Sequence, residues 1–598
     1  MKFFRQAGEK SASRIVERLL DKAVSVKIVN EITNYAATLI DAILIGSFLG
    51  PRYISAYGLA SPIFVVMPAL GGTIANGVNK LCGSSIGSGD AETTNKAFAS
   101  SLVGGMALSV IPMLLLLLLA VPLSVLLGTV GLASDLLGPV SDYLRGMAFG
   151  VPAFVLILIL IPFMQLSGHA SRLTIAITGM SVMDIILDLV NIFVLDGGMF
   201  GMAMASSLSY WFAALVLASS FRGDKGMLRF RFKNWDPRLF VRVLSTGTPY
   251  IFRQGCSLVR SLAMNHIVVH LLSPISLTVY SIVGSLQKIT YTPGSGIGDG
   301  TLMVSSMMYG EEDRHGLQRV LKEGRRLSLI LNGILIVAGM ILAPLLATLY
   351  LTPTSDLIGP AAYGFRLSVL AIIPFSMQMV YRSYLQGIGH QSGVMGAILC
   401  NELIYPVLTS GVLAWLFAET GFFLSFPLSE ILTILTVFLI MRVFSARKNT
   451  GSEGVLMLPP EFGASEEDRL ICSVTGPEEV VRFSEQVREF FLQKGQDRRG
   501  AMILGLCVEE IGINILRFGM QDKKKSCEIL LYLSGGKWIL RFRDDCDSFD
   551  PVAYLKSFDG ENPESRFGLR LALSLADEST YIRSMNINNL RIQLPAAL

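Results

Sequence analysis

Along the first 446 residues, apolar runs alternate with short polar stretches, and from about residue 447 the pattern changes to ordinary mixed sequence. A helix needs roughly 20 apolar residues to cross a hydrocarbon core of ~30 Å. Twelve runs meet that length, within 28–49, 58–82, 97–127, 138–166, 171–195, 199–221, 240–270, 275–305, 326–352, 361–387, 392–417 and 423–446. The pattern predicts an all-α polytopic membrane protein of twelve helices followed by a soluble domain. Arg14, Glu17, Arg18, Asp21 and Lys22 interrupt any apolar core in residues 1–27, and no small-residue cleavage site follows. That segment is expected to be an amphipathic helix on the membrane surface, not a signal peptide.

The polar positions add an internal repeat. Asn76-Gly77, Gly87 and Asp90 after the second run recur as Asp299-Gly300, Gly310 and Asp313 after the eighth, at an offset of 223 residues that also pairs Pro51 with Pro274 and Tyr57 with Tyr280. Gly168-His169 and Gly389-His390 form a further pair. Six runs separate equivalents, so the two copies face the same way, as parallel repeats do. The expected organisation is a first six-helix bundle over 28–222, an inter-lobe loop over 223–239, a second bundle over 240–446, a linker over 447–469 and a soluble domain over 470–598. Loops alternate between twenty-five Lys and Arg on one face and Arg52 alone on the other. The positive-inside rule then places both termini and the tail in the cytoplasm, with the bundles in the cell (inner) membrane.

Composition agrees with two solvents: the chain is 52% apolar and only 16% charged, against roughly 25% charged in globular domains. The net charge of +4 follows from basic loops beside the membrane, so nucleic acid is not an expected partner, whereas membrane lipid is. Seven scattered cysteines without a C-x-x-C pair suggest neither a disulfide framework nor zinc.

Ionisable groups inside a span cost several kcal/mol and usually serve function. Asp41 lies midway along the first span, and Asp184 and Asp188, four residues apart, share one face of the fifth. Asn30, Glu31, Asn34 and Asn191 offer further oxygens nearby in sequence. Such a set could hold Na⁺ or exchange H⁺, or could merely bond to backbone or face a watery cleft. The second bundle instead offers Arg253, Arg260, Arg366 and Arg382, suited to an anionic substrate group or to salt bridges with Glu402 and Glu430. His266 and His270 share a helix face but lack a third ligand.

The stretch Leu39-Ile40-Asp41-Ala42-Ile43-Leu44-Ile45-Gly46, then Ala56-Tyr57-Gly58-Leu59-Ala60-Ser61-Pro62, Gly87-Ser88-Gly89-Asp90 and Met183-Asp184-Ile185-Ile186-Leu187-Asp188 resembles the multidrug and toxic compound extrusion (MATE) transporters over about residues 25–446. The resemblance implies export of small organic molecules driven by H⁺ or Na⁺, with Asp41 and Asp188 as cation-coupling residues. Asp184 stands where the family usually has Asn.

In the tail, segments 477–494 and 498–518 have helical patterns, 528–533 and 538–542 read as a hairpin, 567–576 as a short helix, and 580–583 and 590–594 as late strands, an α/β sandwich. Glu509-Glu510-Ile511-Gly512-Ile513-Asn514, Asp544-Asp545-Cys546-Asp547-Ser548-Phe549-Asp550-Pro551 and Arg566-Phe567-Gly568-Leu569-Arg570 resemble, in order, three boxes of the Bergerat ATP-binding fold of histidine kinases and anti-sigma-factor kinases. That likeness implies Glu510 as catalytic base, Asn514 as Mg²⁺ ligand, Asp544 as the adenine contact, and Gly568 and Arg570 beside the phosphates. Cys546, Arg566 and Arg570 replace usual glycines, so close phosphate approach is partly blocked. The favoured reading is a cation-coupled antiporter with a regulatory tail that also contacts a cytoplasmic protein partner. A receptor signalling through the tail and a lipid-linked precursor flippase are the alternatives.

Overall fold

A computed structural model describes residues 2–595 other than 61–62, 128, 130–134, 222–227, 273, 351–355, 448–455, 460–461, 465, 520–526, 535, 549, 557–569, 571–572 and 575. The first repeat comprises α1 (Lys2–Leu44), α2 (Pro51–Ala60), α3 (Ile63–Ser88), α4 (Ala91–Leu118), α5 (Ala120–Leu126), α6 (Leu137–Ala148), α7 (Val151–Leu166), α8 (Ala170–Val190) and α9 (Gly198–Ser219). The second comprises α10 (Pro237–Leu271), α11 (Pro274–Gly310), α12 (Arg314–Ala347), α13 (Ile358–Val369), α14 (Ile372–Gly387), α15 (Gln391–Leu399) and α16 (Tyr405–Arg447), the last broken at Phe417 and Ala418. Six of the described helical stretches, or seven counting the bent pair α6–α7, are long and apolar enough to cross a membrane. The segment predicted as a surface helix runs on into the first span without a break, within α1.

The repeat seen in sequence is a repeat in structure. Asp90 caps α4 by accepting from the Thr93 amide at 2.9 Å, and Asp313 caps α12 by accepting from the Gly316 amide at 2.9 Å. Gly168 and Gly389 both turn the chain with positive φ, at 80° and 91°.

The two lobes meet along a seam of small residues near the tail. A Cβ on Gly77 or Gly247 would strike the Val243 or Thr73 carbonyl, and one on Gly87 or Gly310 the Met307 or Ser84 carbonyl. Across the same seam Lys80 donates to the Gly387 carbonyl, and Gln386 to Asn76. Away from the tail, Gly284 on α11 has no atom within 4 Å of its Cβ position. The lobes are therefore shut together on the tail side.

The tail is a five-stranded antiparallel sheet, ordered β1-β2-β3-β5-β4, from β1 (Arg469–Val474), β2 (Cys527–Ser534), β3 (Lys537–Asp544), β4 (Glu578–Ser584) and β5 (Ile587–Leu594). Helices α17 (Pro477–Gln493) and α18 (Arg498–Gly519) cover one face, burying Phe483, Phe491, Leu504 and Ile511 against Ile529, Trp538, Leu540 and Phe542. A short α19 (Pro551–Lys556) follows β3. Both long helices and all four predicted strands form within a few residues of their expected bounds, whereas β1 begins at the last residue of the predicted linker. Described residues of that linker are anchored to the membrane half. Tyr384 donates to the Leu456 carbonyl at 2.8 Å, and Phe462 stacks on Tyr309 at 5.1 Å.

Overpacking a tight contact costs typically 1–3 kcal/mol. Gly87→Ala and Gly310→Ala are therefore expected to lower the melting temperature of the purified protein. Gly333→Ala, whose new methyl meets no atom within 4 Å, is expected to leave it unchanged or raise it.

Candidate functional site

Span five carries its acids on a continuous helix, so Asp184 and Asp188 stand one turn apart on α8 and project toward α1, where Asp41 is. The three interact electrostatically, and the Asp41 and Asp188 side chains come within hydrogen-bonding reach of one another. Asp184 is 6% exposed and Asp188 1%. Asp184 accepts from the Ser209 hydroxyl of α9 at 3.4 Å and faces Ser206 as well. Among the described residues no donor reaches Asp41 Oδ1 or either oxygen of Asp188.

Two ionised carboxylates are acceptors only, so a pair held this close in low dielectric needs a proton or cation between them. The chemistry on offer is thus uptake and release of one positive charge. Among the described residues no group of three His, Cys, Asp or Glu side chains closes tightly enough to hold a metal ion.

Three tyrosines wall this cluster. Tyr57, Tyr143 and Tyr210 all lie within electrostatic reach of the acids, with Tyr57 edge-on to Tyr143 at 5.6 Å and Tyr210 against Phe154 at 5.1 Å. Sequence reasoning missed them as site residues, together with Ser206 and Ser209. The tyrosines come from three helices, α2, α6 and α9, so no pattern along any one of them marks the wall, although Ser206, Ser209 and Tyr210 share a face of α9.

Asn191 does not join the acids. Its Oδ1 accepts from the Gly197 amide at 3.1 Å and its Nδ2 donates to the Gly198 carbonyl at 3.2 Å, closing the turn after α8. Gly201 packs so tightly on it that a Cβ there would overlap Oδ1. Asn34 lies on α1, its side chain outside the described residues. Glu31 is paired with Lys27, which also reaches Asp299 of the second lobe at 3.5 Å.

In the second lobe Arg260 is bridged to Glu402 at 2.9 Å, Asn401 donates to Glu430 at 2.9 Å, and Arg366 donates to the Met340 carbonyl at 3.0 Å. Arg382 donates to the Met379 sulfur at 2.6 Å and Arg253 lies over the Tyr250 ring at 5.1 Å, so all four arginines expected there have partners within the lobe. The His266 and His270 rings lie 4.1 Å apart, tilted by 58°.

The first two tail boxes fall into their expected elements, and the third, with most of the helix expected over 567–576, lies outside the described residues; the boxes form no open cradle for a nucleotide among the described residues. Asp544 ends β3 at 3% exposure, and its Oδ1 accepts from the Cys546 amide at 3.0 Å and from Asn588 at 2.7 Å. Burial raises the Asp544 carboxyl above the usual range, against the lowering pull of the Asn588 and Cys546 bonds. Glu509 is engaged by Ser484 and Arg488, at 3.3 and 3.6 Å. Glu510, Asn514 and Arg570 are at least partly exposed, and Gly568 lies outside the described residues. As they stand these residues do not fit Mg-ATP, because the adenine-contacting carboxylate is closed.

The family model described as MatE matches residues 28–190 and 249–409. The multidrug export protein MepA of Staphylococcus saprophyticus subsp. saprophyticus is 24% identical over 404 residues, covering 67% of this chain and 88% of that protein. MepA of Staphylococcus aureus strain MSSA476 is 22% identical over 421 residues, covering 68% and 90%. Among solved structures, a MATE transporter in complex with MaL6 superposes with a TM-score of 0.68 at 18% identity, covering 73% of this chain and 97% of that one. The outward-facing conformation of a multidrug resistance MATE family transporter of the MOP superfamily gives 0.67 at 19% identity, with the same coverage.

Two stability predictions follow from the geometry. Asn191→Ala removes the two hydrogen bonds that close the turn after α8, each contributing about 0.5–1.5 kcal/mol, and is expected to lower the melting temperature. Asp188→Asn removes charge from a crowded site and gives up no hydrogen bond to a described donor, so it is expected to melt no lower than the parent.

Proposed function

The chain belongs to the MatE family, and on that premise we propose that it is a cation-coupled antiporter that exports small organic molecules, drugs among them, across the cell membrane. The single observation that supports this most directly is the Asp41–Asp184–Asp188 cluster, which needs one added positive charge. H⁺ or Na⁺ from outside enters as co-substrate. A proton would be shared by Asp41 and Asp188, and Na⁺ would require the three acids to draw closer. Ser209 and Ser206 orient Asp184, while the tyrosines keep bulk water from the carboxylates and restrict the ion's path. Arrival of the charge on one lobe changes how that lobe packs, and alternating access follows from rocking of the two lobes about the seam.

The same reading makes all twelve helical segments membrane crossings, with both termini and the tail cytoplasmic, as the distribution of Lys and Arg favours. The tail is then a regulatory module on the inner face, able to meet a cytoplasmic protein through α17 and α18. The flippase alternative loses ground because Arg260 is already neutralised by Glu402.

The deciding experiment is uptake into proteoliposomes under imposed H⁺ or Na⁺ gradients. Asp41→Asn and Asp188→Asn should each abolish gradient-driven transport in correctly folded protein, and undiminished transport by both would remove the coupling role. An introduced cysteine at Asp196 should be labelled from outside only and a tag after Leu598 from inside only. Labelling of both from one side would refute the orientation. Because bound ligand stabilises by mass action, the closed Asp544 predicts that millimolar Mg-ATP leaves the melting temperature of the full chain unchanged.

A further inference from the structure

A sheet covered by helices on one side has a second face, and in the tail alternate residues of each strand decide what lies there. On β3 the residues Trp538, Leu540 and Phe542 enter the helix-covered core, so Ile539, Arg541 and Arg543 point the other way. On β2 the second face carries Glu528, Leu530 and Tyr532, and on β5 it carries Asn589. Two cations, an acid and an amide make a surface normally left to solvent, yet Arg541 is 2% exposed, Arg543 4% and Glu528 1%.

What covers them is the corner between α11 and α12. Arg543 reaches Asp313 at 3.0 Å, Glu528 at 3.2 Å and also Glu311, and Arg541 reaches Glu311 at 2.9 Å. Asn589 donates to the other oxygen of Glu311 at 2.7 Å, Arg469 stands 3.6 Å from Asp313, and Arg319 of α12 stands 3.5 Å from Glu528. Burial alone would raise the Asp313 carboxyl, but Arg469, Arg543 and Arg319 hold it well below the usual carboxylate range.

The opposite end of the same sheet is seated on the first lobe. β4 and β5 are joined by Met585 and Asn586, both left-handed at φ 55° and 65°, as a tight two-residue hairpin requires. The Met585 amide and the Ser584 hydroxyl both donate to the Leu166 carbonyl at 2.9 Å. Asn586 lies against Gly168, leaving no room for a Cβ there, Thr580 sits over Gly89, and Asp545 is paired with Arg18 of α1.

One rigid sheet therefore holds two lobes that must separate on this side for alternating access. We propose that the tail is a brace that keeps the transporter shut on the tail side, and that opening there requires the sheet to leave the Glu311–Asp313 corner. This rests on the alternating-access reading above. The ionic corner makes release cooperative, since withdrawing one partner leaves several buried charges uncompensated. Among the described residues the hairpin tip makes backbone-directed bonds and no ion pair, so it is the end that can slide.

The test reads distances in the full chain, with spin labels on unnatural amino acids so that the native cysteines stay. One pair at Lys96 and Lys322 reports lobe separation, and another at Arg498 and Lys322 reports seating of the tail. The parent is expected to show one short distance for each pair. Arg543→Glu, and the milder Arg543→Gln, should broaden the tail pair and raise a longer lobe–lobe population several-fold. Two results would overturn the proposal: a tail that leaves while the lobe pair stays unchanged, or a tail that stays seated in both variants. No substrate or ion gradient enters these measurements, so they are independent of the transport assay and of any failure of the antiporter reading.

Discussion

Asp184 and Asp188, buried beside the partly buried Asp41, set the terms for this molecule. Isolated charge in a low-dielectric interior is unfavourable by many kcal/mol, and Asp188, at 1% exposure, has no donor among the described residues. On the proposed antiporter reading a proton or cation relieves this cost, and alternating access then gives the ion a way in from one side at a time. The shut seam of Gly77, Gly87, Gly247 and Gly310 supplies the closed side. Small residues are needed there because backbones approach so closely that any side chain would hold the lobes apart.

Much of this was legible in the sequence, for identifiable reasons. Helix length and apolarity are set by the bilayer, so a predominantly helical multi-pass chain could be expected, and the spacing of Asp184 and Asp188 is a property of any α-helix. The pairing of Asp90 with Asp313 was visible because a helix cap needs a particular side chain at a particular place. Asn191 was misleading: an amide near two acids reads as a ligand until the turn that consumes both its ends is seen. The tyrosine wall was illegible because it is assembled from separate helices. The seat of the tail was equally hidden. Nothing in the run Arg541-Phe542-Arg543 tells a solvated edge from a buried interface, because strand alternation gives the face and not what covers it.

The tail illustrates how a domain can resemble a ligand-binding fold while its polar groups serve other ends. The first two boxes stand on their expected elements, but Asp544 is tied to Asn588 and the Cys546 amide. The next residue back, Arg543, is turned to the opposite face, where it meets three acids. Adjacent positions on one strand thus serve different partners, and a change at either would be felt on both sides of the sheet.

The tandem halves give a fused domain two nearly equivalent corners on which to land, half a turn apart. In register with Glu311 and Asp313 the first half has Ser88 and Asp90, so one of the two carboxylates is missing there. The glycine turn that receives the hairpin tip is likewise duplicated, at Gly168 and Gly389, and a Cβ on the second copy would meet nothing within 4 Å. A single acidic residue, Glu311, thereby breaks a tie that duplication left behind, and the molecule acquires a handed exterior on a symmetric engine.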